Sequence, residues 1–281
     1  MGGPSDYLEI MRPVNSGMVG LAIIISAVIT GGLNIINHVA LIVLSFITGF
    51  TISGASMTIN DYYDREIDAI NEPKRPIPSG RISPQGAIIF TVILSIIGLA
   101  SSFLISLWAF TTAVIAWMLM MYYSVWGKKR GLLGNLMVST CIALPFIYGG
   151  LLSGKVLSSL SFSLIAFLSN TGREIVKGIV DIAGDKTAGV HTVAVDYGAN
   201  MAANIATLFF LAAVASSAAP VYLHLVSYWY IPFVLITDAG LILSSYHIVM
   251  DPSRNTSREI KTRILYLMIL GLVGFAAGSL F

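Results

Sequence analysis

Residues 60–81 read NDYYDREIDAINEPKRPIPSGR. The stretch closes one long apolar segment and directly precedes another. Acids and an amide come first, as Asn60, Asp61, Asp64, Glu66 and Asp68; bases interleave or follow, as Arg65, Lys74, Arg75 and Arg81. If the preceding helix continues through the acids, Asn60, Asp64 and Asp68 fall at i, i+4 and i+8 on one face, with Asp61 seven residues from Asp68 and sharing much of it. Like charges packed this way repel one another, and a divalent metal among them is the simplest remedy. Oxygen ligands alone suit Mg2+ rather than zinc. Mg2+ held by carboxylates usually also holds a phosphate. The run from Lys74 to Arg81 is a loop by its prolines and glycine, and its cations suit phosphate oxygens. The plainer alternative is a solvated, mixed-charge loop between two spans. A second acidic cluster in the same setting weighs against it.

Apolar residues make up 56% of the chain and charged residues 11%, which excludes a soluble globular protein and indicates an all-α, multi-pass membrane protein. We read nine spans of about 20 apolar residues each, at 13–33, 38–68, 84–105, 108–126, 132–152, 157–181, 199–220, 228–250 and 262–280, forming one bundle around a lipid-accessible cavity and one domain over 1–281. No cleavable signal peptide is expected in the polar first residues. All but Lys155 of the 16 lysines and arginines fall in the N-terminal segment, the loops after the even-numbered spans and the flanking helix ends. The positive-inside rule places these on the cytoplasmic side of the cell membrane, and nine spans put the C-terminus outside. Asp238 alone among the acids lies deep in a span, which makes it a functional candidate or a protonated packing residue. The single cysteine, Cys141, allows no intrachain disulfide.

A second cluster, Asp181-Ile182-Ala183-Gly184-Asp185, ends the sixth span on the same side as the first. Its two carboxylates share a helix face, and Arg173, Lys177 and Asp181 form their own i, i+4, i+8 row. Two acidic clusters facing across a cavity can each hold Mg2+ with a diphosphate between them. A diphosphate leaves an allylic carbon when metals and cations neutralise its growing charge, and the allylic cation needs a water-poor pocket. A membrane bundle supplies that pocket and an apolar wall for an isoprenoid tail. The four histidines are scattered without metal spacing, which argues against a zinc or haem role. The loops at 69–83 and 182–198 carry enough glycine and proline to close as lids.

Asn60-Asp61-x2-Asp64-x3-Asp68 and Asp181-x3-Asp185, with Tyr123-Ser124-x3-Lys128, resemble the signatures of the UbiA superfamily of intramembrane prenyltransferases, and the resemblance spans nearly the whole chain. Asn71-x2-Lys74-Arg75-Pro76-Ile77-Pro78-Ser79-Gly80 and Gly172-Arg173-Glu174-Ile175-x-Lys177 are most similar to its members that build archaeal-type ether lipids. The resemblance implies Mg2+ as cofactor, with Asn60, Asp64, Asp181 and Asp185 as ligands. It implies that Asp61 contacts substrate or stands near the metals, and that Lys74, Arg75, Lys128, Arg173 and Lys177 bind phosphate. Asn15 and Tyr123 are implied to line the chamber near the allylic carbon, where an aromatic face stabilises a cation. Asp64 or Asp68, or released diphosphate, is implied as proton acceptor. The implied substrates are geranylgeranyl diphosphate and geranylgeranylglyceryl phosphate, joined by an ether bond. The implied surroundings are the lipid bilayer, with no nucleic acid and no obligate protein partner. Two other classes stay open at this point: an aromatic prenyltransferase of quinone or haem biosynthesis, and a transporter of lipid phosphates or metals.

Overall fold

The computed structural model describes residues 2–127, 130–187 and 189–281, with the main chain alone at 67, 70 and 71. In chain order the helices are α1 (Pro4–Ile10), α2 (Pro13–Gly31), a 3-10 turn (Leu33–Asn37), α3 (Val39–Asn71), α4 (Pro84–Ile105), α5 (Leu107–Val125), α6 (Gly131–Ser153), α7 (Val156–Thr187), α8 (Val193–Ser217), α9 (Ala219–Tyr222), α10 (Tyr230–Met250) and α11 (Arg254–Leu280). Among the described residues every regular element is helical, and eight segments are long and apolar enough to cross a membrane. They comprise α2, the Val39–Glu66 part of α3, α4, α5, α6, α8 with α9, α10 and α11.

The difference from the nine expected spans lies at α7. Its serines, Asn170 and the charged turn from Arg173 dilute its apolar content. Those polar groups face inward: Ser159, Ser163, Ser169, Asn170 and Thr171 are buried. The Asn170 amide donates to Ser139 Oγ of α6 at 3.1 Å, and Ser163 Oγ donates to the Ala143 carbonyl at 3.1 Å. Polar groups at membrane depth need such internal partners, and here they bind α6 to α7. Helix ends also shift from expectation. α3 runs to Asn71, and α7 carries Asp181 and Asp185 within it before ending at Thr187. α8 starts at Val193 but breaks at Gly198, where φ is 83° and ψ is 164°. Glycine takes that φ without strain, and the spanning part begins beyond it. α11 starts at Arg254 because Ser253 Oγ accepts from the Thr256 N–H at 3.4 Å and caps a polar first turn.

The helices form a ring. α2 packs on α3 and α6, α3 on α4 and α5, α6 on α5 and α7, α7 on α8 and α11, and α10 on α8 and α11; α11 touches α2 and closes the circuit. Leucines, isoleucines and aromatics on α4, α5, α10 and α11 remain exposed on the outside, as expected for a lipid-facing wall. Close crossings rely on small residues. At the α2–α3 crossing, a Cβ on Gly49 would lie 2.8 Å from the Gly20 Cα and 3.0 Å from its N. Neither main-chain atom can swing aside, so Gly49→Ala is expected to destabilise the bundle by about 1–3 kcal/mol. A lower thermal midpoint in detergent would show it, and an unchanged midpoint would mean that α2 and α3 can slide apart freely.

Candidate active site

α3 extends past the apolar zone and presents its acids on two sides. Asn60 Nδ2 donates to Asp64 Oδ2 at 3.1 Å, which joins the first pair of oxygen donors one turn apart. Asp61 and Asp68 lie on the other side and are taken by arginines. Arg12 contacts Asp61 at 2.6 Å, and Arg75 contacts Asp68 at 2.6 Å and Asp61 at 3.7 Å. The Asp61 side chain is only 4% exposed and that of Asp68 9%. A carboxylate buried this deeply requires a charge partner. Arg12 provides it from a left-handed main-chain conformation with φ 48° at the start of α2. Such a conformation costs about 1–3 kcal/mol in a non-glycine residue, and here the ion pair accompanies it. Arg65 turns away, with its guanidinium 4.7 Å from the Tyr62 ring centre.

The end of α7 carries the second set. Asp181 and Asp185 are half-buried one turn apart. Burial pushes the Asp185 carboxyl above its usual range, Asp181 adds to this, and Lys177 opposes it. Glu174 contacts Arg173 at 3.0 Å and Lys177 at 3.4 Å, so the two cations expected to meet phosphate are gathered on one acid. Arg173 Nε is buried without a hydrogen-bond partner among the described residues. A buried N–H donor of this kind calls for an acceptor.

Both acidic ends come to one face of the bundle. The segment before α6 meets the segment before α8 through a main-chain bridge between Arg130 and His191. Tyr123, in the last turns of α5, feels the charges of Glu174, Asp64 and Asp185, which sets it between α3 and α7. Asn15 is exposed in the first turn of α2, and Lys74 is exposed on the loop after α3. Lys128 lies outside the described residues. One turn from Tyr123, Met120 enters the wall of an apolar pocket between α2, α3, α5 and α6, with Ile23, Ile52, Leu144 and Tyr148. Pro145 also lines it; a proline there removes a helical hydrogen bond to the Cys141 carbonyl.

Among the described residues no three histidine, cysteine, aspartate or glutamate side chains converge as a complete metal cage. Asn60 with Asp64, and Asp181 with Asp185, are pairs. Mg2+ normally takes one or two carboxylates, keeps waters and completes its shell with substrate phosphates. The donor chemistry therefore fits Mg2+ shared with a diphosphate.

A strap holds the rim. Arg81 donates to Asp6 at 2.6 Å, to both Glu9 oxygens at 2.6 and 2.9 Å, and to the Lys74 carbonyl at 2.7 Å. It thereby fixes α1 against the loop after α3, immediately before Arg12. Arg81 holds the Asp6 carboxyl below its usual range, helped by the Gly3 N–H, and does the same for Glu9. Depressed carboxyls stabilise the folded form above their unfolded pKa of about 4, and that stabilisation fades as pH falls through the lower folded values. Amide exchange over residues 4–12, corrected for intrinsic rate, is expected to be slow at neutral pH and to quicken below pH about 4. Arg81→Ala is expected to quicken it at neutral pH as well. Sequence reasoning named Arg81 only as a loop cation and Glu174 only within a motif, and it gave Arg12 no ion-pair role. Arg12 and Arg81 reach their partners across long stretches of chain, while the Glu174–Lys177 pair at i, i+3 was visible in the spacing.

The profile of the UbiA prenyltransferase family matches residues 19–273. The chain is 36% identical over 275 residues to digeranylgeranylglyceryl phosphate synthase of Methanothermobacter thermautotrophicus, covering 98% of this chain and 96% of that protein. It is also 36% identical over 278 residues to the enzyme of the same name from Korarchaeum cryptofilum, covering 98% and 97%. Among solved structures, one giving structural and mechanistic insights into digeranylgeranylglyceryl phosphate synthase superposes with a TM-score of 0.89 at 30% identity, over 98% of both chains. A UbiA homologue from Archaeoglobus fulgidus, solved with GPP and Mg2+, shares the fold at a TM-score of 0.70 and 19% identity, over 96% of this chain and 99% of that one.

Proposed function

The chain belongs to the UbiA prenyltransferase family, and on that premise we propose that the two acidic helix ends are its diphosphate-handling site. It is a prenyltransferase that moves a geranylgeranyl group from geranylgeranyl diphosphate to the free hydroxyl of geranylgeranylglyceryl phosphate. The product carries the second ether bond of an archaeal-type lipid. The observation that carries this reading is the end-to-end match, at 30–36% identity, to enzymes and a structure of that one activity.

Asn60 and Asp64 on α3, and Asp181 and Asp185 on α7, hold Mg2+. The metal supplies charge neutralisation for the leaving diphosphate. Arg173 and Lys177, with Lys74 and Lys128, bind phosphate oxygens of donor and acceptor, and the unpartnered Nε of Arg173 supports this. Arg75 stands at the edge of the same field while it neutralises Asp68. Asp61 and Asp68 are thus anchors for Arg12 and Arg75, a role different from the direct substrate contact and proton transfer expected from sequence. The allylic C1–O bond breaks with its electron pair going to the diphosphate, and the acceptor oxygen bonds to C1. Its proton passes to Asp64 or to the diphosphate, because Asp68 is committed to Arg75. Tyr123 and Asn15 face the allylic carbon, and the cavity from Met120 to Tyr148 takes the prenyl chain and keeps water away.

The whole of 1–281 forms one domain with nine spans, α7 included, since its Ser163 and Asn170 find partners on α6 within the bundle. The cation asymmetry puts the acidic ends and the N-terminus in the cytoplasm. The test is an assay in detergent with geranylgeranyl diphosphate and Mg2+, offering geranylgeranylglyceryl phosphate and 4-hydroxybenzoate in parallel, with EDTA as control. Ether product that vanishes with EDTA supports the reading, and prenylated aromatic product alone overturns the acceptor.

A further inference from the structure

We propose that Arg254, in the first turn of α11, is a positioning residue for the acidic end of α7. The proposal rests on the reading of Asp181 and Asp185 as metal ligands, and it concerns how they are held. Arg254 Nε donates to the Val180 carbonyl at 3.2 Å, one residue ahead of Asp181. Among the described residues this is the last side-chain hydrogen bond that α7 receives from another helix. The start of α11 is itself anchored. Asp251 accepts from the Ser253 N–H at 3.1 Å, from Ser253 Oγ at 3.1 Å and from Thr256 Oγ1, so Arg254 reaches out from a fixed turn.

The end of α7 needs such a hold for three reasons. Asp181 and Asp185 are half-buried like charges one turn apart. Asp185 falls in the last turn, where the negative end of the helix disfavours a carboxylate. Gly184 stands between them with nothing within 4 Å of where a Cβ would lie, and a glycine inside a helix weakens it. Packing also runs out here. Ile175 and Ile179 are buried in one cluster with Ile260 and Ile264 of α11, whereas Ala183, Gly184 and Lys186 are exposed. The acidic end of α3 is held in another way. There Arg12 and Arg75 sit on the carboxylates of Asp61 and Asp68 and occupy them. On α7 the two cations ahead of Asp181, Arg173 and Lys177, are gathered on Glu174. Among the described residues no ion pair involves Asp181 or Asp185. Arg254 binds the main chain instead. It brings positive charge to the negative end of the helix and fixes the turn, while both carboxylates keep their oxygens for a metal.

The test uses the full chain in detergent, with Mn2+ as the metal probe, inorganic pyrophosphate present, and free Mn2+ read by electron spin resonance. Arg254→Ala is expected to weaken Mn2+ uptake about tenfold, as befits one hydrogen bond from a charged donor, and Arg254→Lys to recover part of it. Amide exchange over residues 181–187, followed without metal, is expected to quicken by a similar factor in Arg254→Ala, with the thermal midpoint near that of the wild type. Arg258→Ala removes an exposed cation one turn further along α11 and is expected to change neither readout. In the Asp181→Ala background, Arg254→Ala is expected to cost no further affinity, because it acts through the pair. Uptake equal in wild type and Arg254→Ala, equal losses in Arg254→Ala and Arg258→Ala, or full additivity with Asp181→Ala overturns the proposal. Quicker exchange with unchanged uptake overturns it too, since Arg254 is then a tie for the fold alone. A wild type that takes up no Mn2+ overturns the metal reading beneath the proposal, a result distinct from all of these.

Discussion

Asp181→Ala is expected to lower geranylgeranyl transfer about a thousandfold, on the scale of removing a principal stabiliser of developing charge, while leaving the thermal midpoint at or above that of the wild type. The two effects point in opposite directions for one reason. Asp181 and Asp185 are half-buried like charges one helical turn apart, and each makes the other costly without a cation between them. Removing one relieves the fold and, on the proposed function, strips the site of a ligand. Asp64→Ala is expected to match it in rate, because the proposed function sets the two pairs on one diphosphate. Transfer of labelled prenyl group to the acceptor, with the midpoint measured on the same preparations, decides the matter. Activity within tenfold of wild type in folded Asp181→Ala would remove the α7 pair from the metal site.

Arg12→Ala is expected to lower stability by about 2 kcal/mol, below the 3–5 typical of a broken buried pair because Arg12 is itself about a third exposed. Asp61 keeps almost no contact with water, and Arg75 compensates only in part. Its guanidinium spans both carboxylates, at 3.7 Å from Asp61 and 2.6 Å from Asp68, and is closer to Asp68. Asp61→Ala with Arg12→Ala is expected to be less harmful than the two losses added, with a coupling of about 1–3 kcal/mol. Activity is expected to fall with Arg12→Ala as well, since the pair sets the end of α3 that carries Asn60 and Asp64. A double-mutant cycle on unfolding in mild detergent reads the coupling. Strict additivity would mean that the 2.6 Å contact is incidental.

The apolar spans and the one-sided cations were legible because each depends on local sequence. Twenty apolar residues make a span wherever they occur, whereas the Ser253 cap that starts α11 at Arg254, ahead of the span expected at 262–280, went unread. The i, i+4 spacing likewise brought Asn60 to Asp64 and Asp181 to Asp185 without reference to the rest of the chain. α7 was harder. Its polar residues lower its hydropathy, yet they are buried against α6, and hydropathy alone does not distinguish a polar group facing the bundle from one facing water. The substrate came from resemblance and then from the full-length relatives; the cation excess around residues 74–81 and 128–130 favoured a phosphate-bearing acceptor only weakly.

The sequence by itself determined an all-helical membrane bundle with two acidic helix ends on one face, since helix period and hydropathy act over a few turns. Tertiary structure decided which cations meet Asp61 and Asp68. Asp61 read as a substrate contact or a neighbour of the metals and Asp68 as a proton acceptor, but packing brings Arg12 and Arg75 onto them. Packing also made α1 a strap through Arg81 and set Tyr123 between the clusters. The physical reason is one of range: periodicity tells which side chains share a face, whereas the charge that neutralises a buried carboxylate arrives from another helix.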